Sequence, residues 1–226
     1  MKKDDLTKEL RRELLSKDMA AFEEAIGFTE EEWHQIKNGL NQREVGMKAT
    51  LNSQAPAFSV TMMNTEGEIS GSTVSLADYK GRPLALVLGS YTCPVFRRHN
   101  SRINAIYEAY HNKAAFLHIY VYEMHPVNSW FIPINLQDDV VYDQPTTLAG
   151  RAAVARDWIK AQNIHMPVAL DDMHNTVDEL YAGSPERLYV IDSDGIIRFR
   201  SSQGPFDDHE VDQWEATLQQ LTSHTI

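Results

Sequence analysis

The 226-residue chain contains a single cysteine, Cys93, so it cannot form an intramolecular disulfide or a cysteine-rich zinc site. It lacks the run of roughly 18 or more apolar residues that a membrane-spanning helix needs. Basic residues are scarce: 21 Lys and Arg against 32 Asp and Glu leave a net charge of -11. We therefore do not expect nucleic acid or an anionic membrane as a partner. The charged start has no signal-peptide core, which predicts a cytoplasmic, reducing setting.

Histidine is less scarce, but its spacing does not indicate a metal site. Histidines 111, 118, 165, 174 and 209 lack the i, i+4 or short loop spacing of metal ligands. We predict no structural metal.

Residues 1–48 predict a helical N-terminal extension. Apolar residues recur at helical spacing over 6–26, and Gly27 is a typical stop. Thr29 and Glu32 form a capping box that predicts a second helix. We interpret the extension as an appendage packed on the main domain, although a surface for a homodimer or another partner fits the same pattern.

Residues 49–226 predict one α/β domain. Short apolar runs bounded by turn residues indicate strands, and apolar residues at a spacing of three to four indicate helices between them. The order predicts a thioredoxin-like fold, in which helices flank a central mixed sheet. The predicted strands cover 57–63, 84–88, 116–121, a segment after 167, 188–191 and 196–200, and the predicted helices cover 94–110, 148–162 and 207–221.

Cys93 falls where a buried strand gives way to a helix. Pro94 suits the first helical position, so Cys93 is predicted to cap the helix with its sulfur facing the free N–H groups of Val95 and Phe96. These groups and the helix dipole favour an ionised, reactive thiolate. The alternative is an inert thiol in the core. With no second cysteine, an oxidised Cys93 must be reduced by an external thiol or another subunit.

A second group of candidate residues follows the next parallel strand. Parallel strands end at the same edge of a sheet, so Glu123 and His125 are expected near Cys93. His125 could move a proton near neutral pH, with Glu123 orienting its ring, or it could be an ordinary surface histidine. Trp130 is a candidate aromatic wall. The segment His165-Met166-Pro167 precedes a strand, which is where a thioredoxin-like fold places its cis-proline loop against the active cysteine; the residues alone leave the isomer of Pro167 open.

Three motifs resemble the iodothyronine deiodinase family: GSYTCP with a following Phe at 89–96, FLHIYVYEMHP at 116–126 with Trp130, and ERLYVI at 186–191. They occur in the family's order within a resemblance that runs from about Leu76 to Leu221. The resemblance implies a thioredoxin-like fold and reductive removal of iodine from an iodinated aromatic ring. It also implies that an external thiol, such as glutathione or thioredoxin, donates the electrons without a bound cofactor.

Carried over residue by residue, the resemblance implies that Cys93 attacks the halogen. It also implies that His125, supported by Glu123, transfers the proton and contacts the substrate. Thr92 and Ser90 would bond to the sulfur. The predicted substrate-binding residues are Ser90, Tyr91, Trp130, Met166 and Pro167.

The chain departs from the vertebrate pattern in two places. A second family histidine aligns with Pro145, and an arginine is replaced by Gln203. Both changes weaken the case for thyroid hormone itself as the substrate. The lack of an apolar anchor segment and the added N-terminal helices predict a soluble, bacterial-type member.

Two other functions fit the same residues. Ser90-Tyr91-Thr92-Cys93 matches the S-x-x-C pattern of a one-cysteine peroxiredoxin-like peroxidase, although Leu86 stands where that pattern has proline. A non-catalytic redox sensor or binding module, in which oxidation of Cys93 or the N-terminal helices control a partner, is a third hypothesis.

Overall fold

The computed structural model describes residues 30–204 and 208–223. The helix predicted over 6–26 lies outside them, while the second predicted helix is present as α1. In chain order the helices are α1 (Glu30–Gly46), a 3-10 turn (Leu76–Tyr79), α2 (Pro94–Tyr110), α3 (Pro133–Gln137), α4 (Leu148–Ala161), α5 (Thr176–Tyr181) and α6 (Asp208–Thr222).

Seven strands form one mixed sheet in the order β2-β1-β5-β4-β3-β6-β7. The three central strands β5, β4 and β3 are parallel, and each strand outside them pairs antiparallel with its neighbour. The strands are β1 (Ser59–Met63), β2 (Ile69–Ser75), β3 (Leu84–Gly89), β4 (Ala115–Tyr120), β5 (Val168–Leu170), β6 (Glu186–Ile191) and β7 (Ile197–Arg200). This arrangement confirms the predicted thioredoxin-like class.

The sheet is buried on both faces, which explains why its central strands read as continuous apolar runs. One face packs against α2, α4 and α6 through residues such as Phe96, Trp158 and Trp214. The other packs against α5 and the segment before β1 through residues such as Phe58 and Tyr181. A β-strand alternates its side chains between faces, so every residue of β3 is buried.

The strand registers bring three chain segments to one edge of the sheet. Gly89 at the end of β3 lies opposite Tyr120 at the end of β4 and opposite Glu186 at the start of β6. A Cβ atom on Gly89 would stand 2.8 Å from the Phe96 ring, so glycine allows α2 to pack closely on β3. We call the end of the sheet that carries these three residues the Cys93 edge.

Helix α1 is held to the domain by ion pairs. Arg43 Nη1 lies 2.7 Å from Asp178 Oδ2, and Arg187 Nη2 lies 2.6 Å from Glu44 Oε2. Asp178 and Arg187 are fully buried, so each has its charge balanced by a residue of α1. The predicted division of the chain at residue 48 stays a prediction.

The expected cis-proline loop is in a different place. The cis peptide bond is Ser184–Pro185, directly before β6, and not Met166–Pro167. The reason is topological. The prediction needs β5 to start at the Cys93 edge, but β5 is parallel to β4 and therefore starts at the opposite edge of the sheet. β6 is antiparallel to β3 and starts where β3 ends. The sequence patterns also missed β2, α3 and α5.

Candidate active site

Cys93 caps helix α2, as the sequence predicted. Its backbone is extended, with φ -82° and ψ 114°, and Pro94 occupies the first turn of the helix. The Cys93 N–H donates to Ser90 O at 3.1 Å, and Arg97 N–H donates to Cys93 O at 3.1 Å. The first bond closes the turn after β3 and the second starts the helix. Local chain geometry therefore fixes Cys93 at the strand–helix junction.

The sulfur is buried in this structure, and burial favours the neutral thiol. Cys93 is 2% exposed. Burial, followed by the negative charge of Glu186, raises the pKa of the thiol to about 12, while the N–H groups of Phe96 and Val95 and the charge of Arg97 oppose this. The expectation of an approachable thiolate is therefore wrong for this conformation, because desolvation outweighs the helix terminus.

Thr92 connects the Cys93 loop to the loop that follows β4. Its N–H donates to Glu123 Oε2 at 3.0 Å, and its hydroxyl oxygen accepts from the His125 N–H at 3.0 Å. The amide of Asn135 donates to Thr92 O at 2.8 Å. Ser90 acts similarly, since its hydroxyl oxygen accepts from the Met124 N–H at 3.3 Å. Ser90, Thr92, Glu123 and His125 thus lie together beside Cys93, as the sequence predicted.

Glu123 has different partners from those expected. It is 1% exposed, and its Oε1 accepts from the Tyr120 hydroxyl at 2.5 Å. Burial raises the pKa of Glu123, and hydrogen bonds from Tyr120 and Thr92 oppose that rise. The described hydrogen bonds of its carboxylate come from Tyr120 and Thr92 and not from the His125 ring. Glu123 therefore fixes the loop that precedes Cys93 and does not orient the imidazole.

The His125 ring is oriented by a backbone carbonyl. Its Nδ1 lies 2.9 Å from Trp130 O, and because a carbonyl only accepts, Nδ1 carries the proton and Nε2 has the lone pair. Burial lowers the pKa of His125 to about 4, although the Trp130 carbonyl opposes this. The ring packs edge-on against Trp130 with 4.3 Å between centroids. A neutral His125 can accept a proton at Nε2 and has no extra proton to donate.

Tyr91 and Trp130 lie beside two separate pockets. Tyr91 lines a pocket of about 450 Å³ together with Pro94 and Arg97, and Arg97 donates to Tyr91 O at 2.8 Å. Trp130 lines a pocket of about 370 Å³ between α1 and the loop after β4. Both pockets lie at the Cys93 edge.

Met166 and Pro167 are not part of this site. Leu170 at the end of β5 pairs with Tyr120, and Pro167 lies three residues earlier, roughly 10 Å down the strand. Both residues line a pocket with Asn64 and Tyr107 at the opposite edge of the sheet. Their predicted contact with substrate at Cys93 therefore does not occur in this structure.

Sequence reasoning missed a buried pair next to Cys93. Glu186 is fully buried, and its Oε2 lies 3.0 Å from His99 Nδ1, while His99 Nε2 lies 3.3 Å from Asp208 Oδ1. Burial lowers the pKa of His99, but the hydrogen bond and charge of Glu186 outweigh it, so the pKa is raised. Glu186 follows Ser184-Pro185 at the start of β6, and this position in the sequence was the signal that could have indicated the pair.

Comparison with known proteins agrees with this arrangement. The model of the iodothyronine deiodinase family matches residues 10–221. The chain belongs to the iodothyronine deiodinase family. A type I iodothyronine deiodinase from Xenopus laevis is 33% identical over 62% of this chain and 54% of the relative. A thyroxine 5-deiodinase from Rattus norvegicus is 32% identical over 61% of this chain and 43% of the relative. The chain thus spans about half the length of these curated relatives.

Solved structures place this deiodinase-family member in the thioredoxin-like fold. A proposed protein disulfide isomerase from Bacteroides thetaiotaomicron aligns with a TM-score of 0.56 at 16% identity, covering 79% of this chain and 94% of that one. A thiol:disulfide interchange protein from Bacteroides sp. aligns with a TM-score of 0.52 at 15% identity over the same shares. At these identities the likeness concerns the fold alone.

Gln203, which the resemblance aligns with an arginine of the family, contacts two other segments of the chain. Its amide donates to Ser184 O at 3.2 Å and to Leu40 O at 3.4 Å. Gln203 therefore joins the cis-proline segment to helix α1.

Within the part of the chain that the structure describes, no helix is long and apolar enough to cross a membrane.

Proposed function

We propose that this deiodinase-family protein is a thiol-dependent oxidoreductase that removes iodine from an iodinated phenol through Cys93. The observation that carries the proposal is Cys93 at the start of α2, next to Thr92, whose hydroxyl oxygen accepts from the His125 N–H. Family membership supplies the reaction class.

The proposed reaction has two stages. The Cys93 thiolate attacks iodine, the carbon–iodine bond breaks, and its electron pair stays on the ring carbon, which takes up a proton. Cys93 then carries a sulfenyl iodide. An external thiol displaces iodide to form a mixed disulfide, and a second thiol restores Cys93. The ring gains two electrons, and two thiols are oxidised to one disulfide. Because Cys93 is the only cysteine, both thiols come from outside the chain, and we propose glutathione or thioredoxin in the cytoplasm.

His125 and Cys93 share one proton in this scheme. Nε2 of His125 accepts the thiol proton to form the thiolate and returns it to the ring carbon. In the observed conformation the pKa is about 12 for Cys93 and about 4 for His125. A pKa gap of roughly 8 makes this transfer cost on the order of 10 kcal/mol. We therefore place ionisation after the site has opened to substrate and water.

The test is iodide release from 3-iodo-L-tyrosine and from thyroxine with dithiothreitol. Cys93→Ser should abolish release, and His125→Ala should lower it by about 10² or more. His165→Ala removes an exposed histidine at the opposite edge, where it pairs with Glu108, and this matched control should retain the rate. If wild type releases no iodide but consumes hydrogen peroxide, the peroxidase hypothesis replaces this one.

A further inference from the structure

The pocket beside Trp130 is formed partly by the N-terminal extension. Helix α1 supplies Leu40 and Arg43, and the loop after β4 supplies Tyr122, Met124 and Trp130. Its volume of about 370 Å³ is near the lower end of small-molecule sites, which run from roughly 300 to 1,000 Å³. The pocket therefore suits a ligand of about one ring with a short substituent.

Its inner wall is in direct contact with the candidate active site. Met124 lines the pocket, and its N–H donates to the Ser90 hydroxyl oxygen. Trp130 lines it as well, and its ring packs on the His125 ring. Met124 therefore links this pocket to the Cys93 loop, and Trp130 links it to His125.

The side chains of this wall suit a polarisable aromatic group. Trp130 offers an aromatic surface, and the thioether of Met124 makes favourable contacts with aromatic rings. Leu40 adds an apolar surface from the opposite side and packs against the core cluster that contains Cys93. Iodine and an aromatic ring both fit such a surface.

Arg43 lines the pocket, and its guanidinium is paired with the buried carboxylate of Asp178. Its Nη1 donates to the Tyr122 hydroxyl at 2.6 Å and also lies 2.7 Å from Asp178 Oδ2, and the guanidinium lies 4.7 Å from the centroid of the Tyr122 ring. Both polar contacts use Nη1, whereas a guanidinium also carries donors on Nη2 and Nε. These remaining donors are of the kind that binds a carboxylate.

We infer that this pocket binds a single-ring iodinated aromatic amino acid, with its ring against Met124 and Trp130 and its carboxylate at Arg43 of helix α1. The inference rests on the proposed function and names its substrate class. It also gives the N-terminal extension a part in substrate binding that its sequence did not indicate.

The test measures binding separately from turnover. Calorimetry on the Cys93→Ser chain with 3-iodo-L-tyrosine, 2-iodophenol and thyroxine should give the tightest binding for 3-iodo-L-tyrosine. Leu40→Trp fills the pocket and should weaken its binding at least tenfold. Val45→Trp adds the same ring at an 88% exposed position of the same helix and should change nothing.

A second substitution tests the carboxylate contact. Arg43→Gln should weaken 3-iodo-L-tyrosine about tenfold or more and leave 2-iodophenol, which has no carboxylate, unchanged. Because Arg43 also balances buried Asp178, the paired variant Arg43→Lys keeps the charge and should recover part of the affinity. Thermal unfolding of each variant verifies that the fold is intact.

Equal binding by the Leu40→Trp and Val45→Trp chains would overturn the pocket assignment, even if the wild type releases iodide. Tighter binding of thyroxine than of 3-iodo-L-tyrosine would overturn the single-ring assignment. Binding that Leu40→Trp abolishes in a protein that releases no iodide would support the pocket while refuting the proposed reaction.

Discussion

The ionisation of Cys93 controls whether the folded protein reacts with an alkylating reagent, because only the thiolate is nucleophilic. The pKa of Cys93 is raised from 9.0 to about 12. At pH 8 the thiolate fraction is then roughly one in 10⁴, against about one in ten for an unperturbed thiol. We expect the native chain to react with iodoacetamide on the order of 10³ times more slowly than the same chain in urea.

The assay is mass spectrometry of the intact protein over pH 7 to 10. Every cysteine adduct reports Cys93, since the chain has no other cysteine, and Cys93→Ser gives the background. The rate should rise about tenfold for each pH unit across the range, because the thiol stays far from its midpoint.

Glu186 is the charge that contributes most to this rise after burial. Glu186→Gln should therefore lower the pKa of Cys93 and speed labelling several-fold at fixed pH. Glu108→Gln is the matched control, because Glu108 is an exposed carboxylate that pairs with His165 and has no part in the Cys93 shift. It should leave the rate unchanged.

The same shift has a stability consequence with a defined sign. The unfolded thiol ionises near pH 9 and the folded one near pH 12, so the free energy of unfolding should fall between these values, by at most about 4 kcal/mol. A labelling profile with a midpoint between pH 5 and 8 would refute the reasoning, since it would show that the helix terminus outweighs burial.

Three further predictions concern the residues around Cys93. Burial lowers the pKa of His125 from 6.5 to about 4, so the unfolded chain binds a proton more readily than the folded one between these values. The free energy of unfolding should therefore fall by about 3 kcal/mol between pH 6.5 and pH 4. In urea unfolding, the fall for His125→Gln should be smaller than the wild-type fall by that amount. Gly89→Ala places a Cβ 2.8 Å from the Phe96 ring and should lower the free energy of unfolding by about 1–3 kcal/mol. Gly39→Ala, which has open space around its Cβ inside α1, should raise it by up to about 1 kcal/mol. Equal effects in thermal unfolding would contradict the packing argument. Tyr120→Phe removes the hydroxyl that donates to Glu123 and accepts from the Tyr91 N–H. It should lower the free energy of unfolding in urea by about 1–3 kcal/mol. An unchanged value would mean that these hydrogen bonds are not maintained in solution.

The local sequence was sufficient to predict the elements that carry the site. β3, α2 and β4 were expected within about one residue of their observed bounds, because apolar runs and Pro94 act on neighbouring residues. It also predicted that Thr92, Glu123 and His125 lie beside Cys93, because parallel strands end at one edge. The elements missed had weak local signals: β2 is mostly exposed and rich in serine, and α5 has six residues between two left-handed positions.

Sequence by itself therefore determined the helix cap at Cys93, the shared edge at which β3 and β4 end, and the family that the motifs resemble. Only the tertiary structure decided their chemical state, because a pKa depends on the solvent and charges that distant segments remove or supply. Burial raises the pKa of Cys93 and lowers the pKa of His125, Glu186 arrives from an antiparallel strand, and α1 closes a pocket beside Trp130. The wrong prediction for Pro167 has the same origin, because a strand's direction is set by its neighbours in the sheet and not by the residues that precede it.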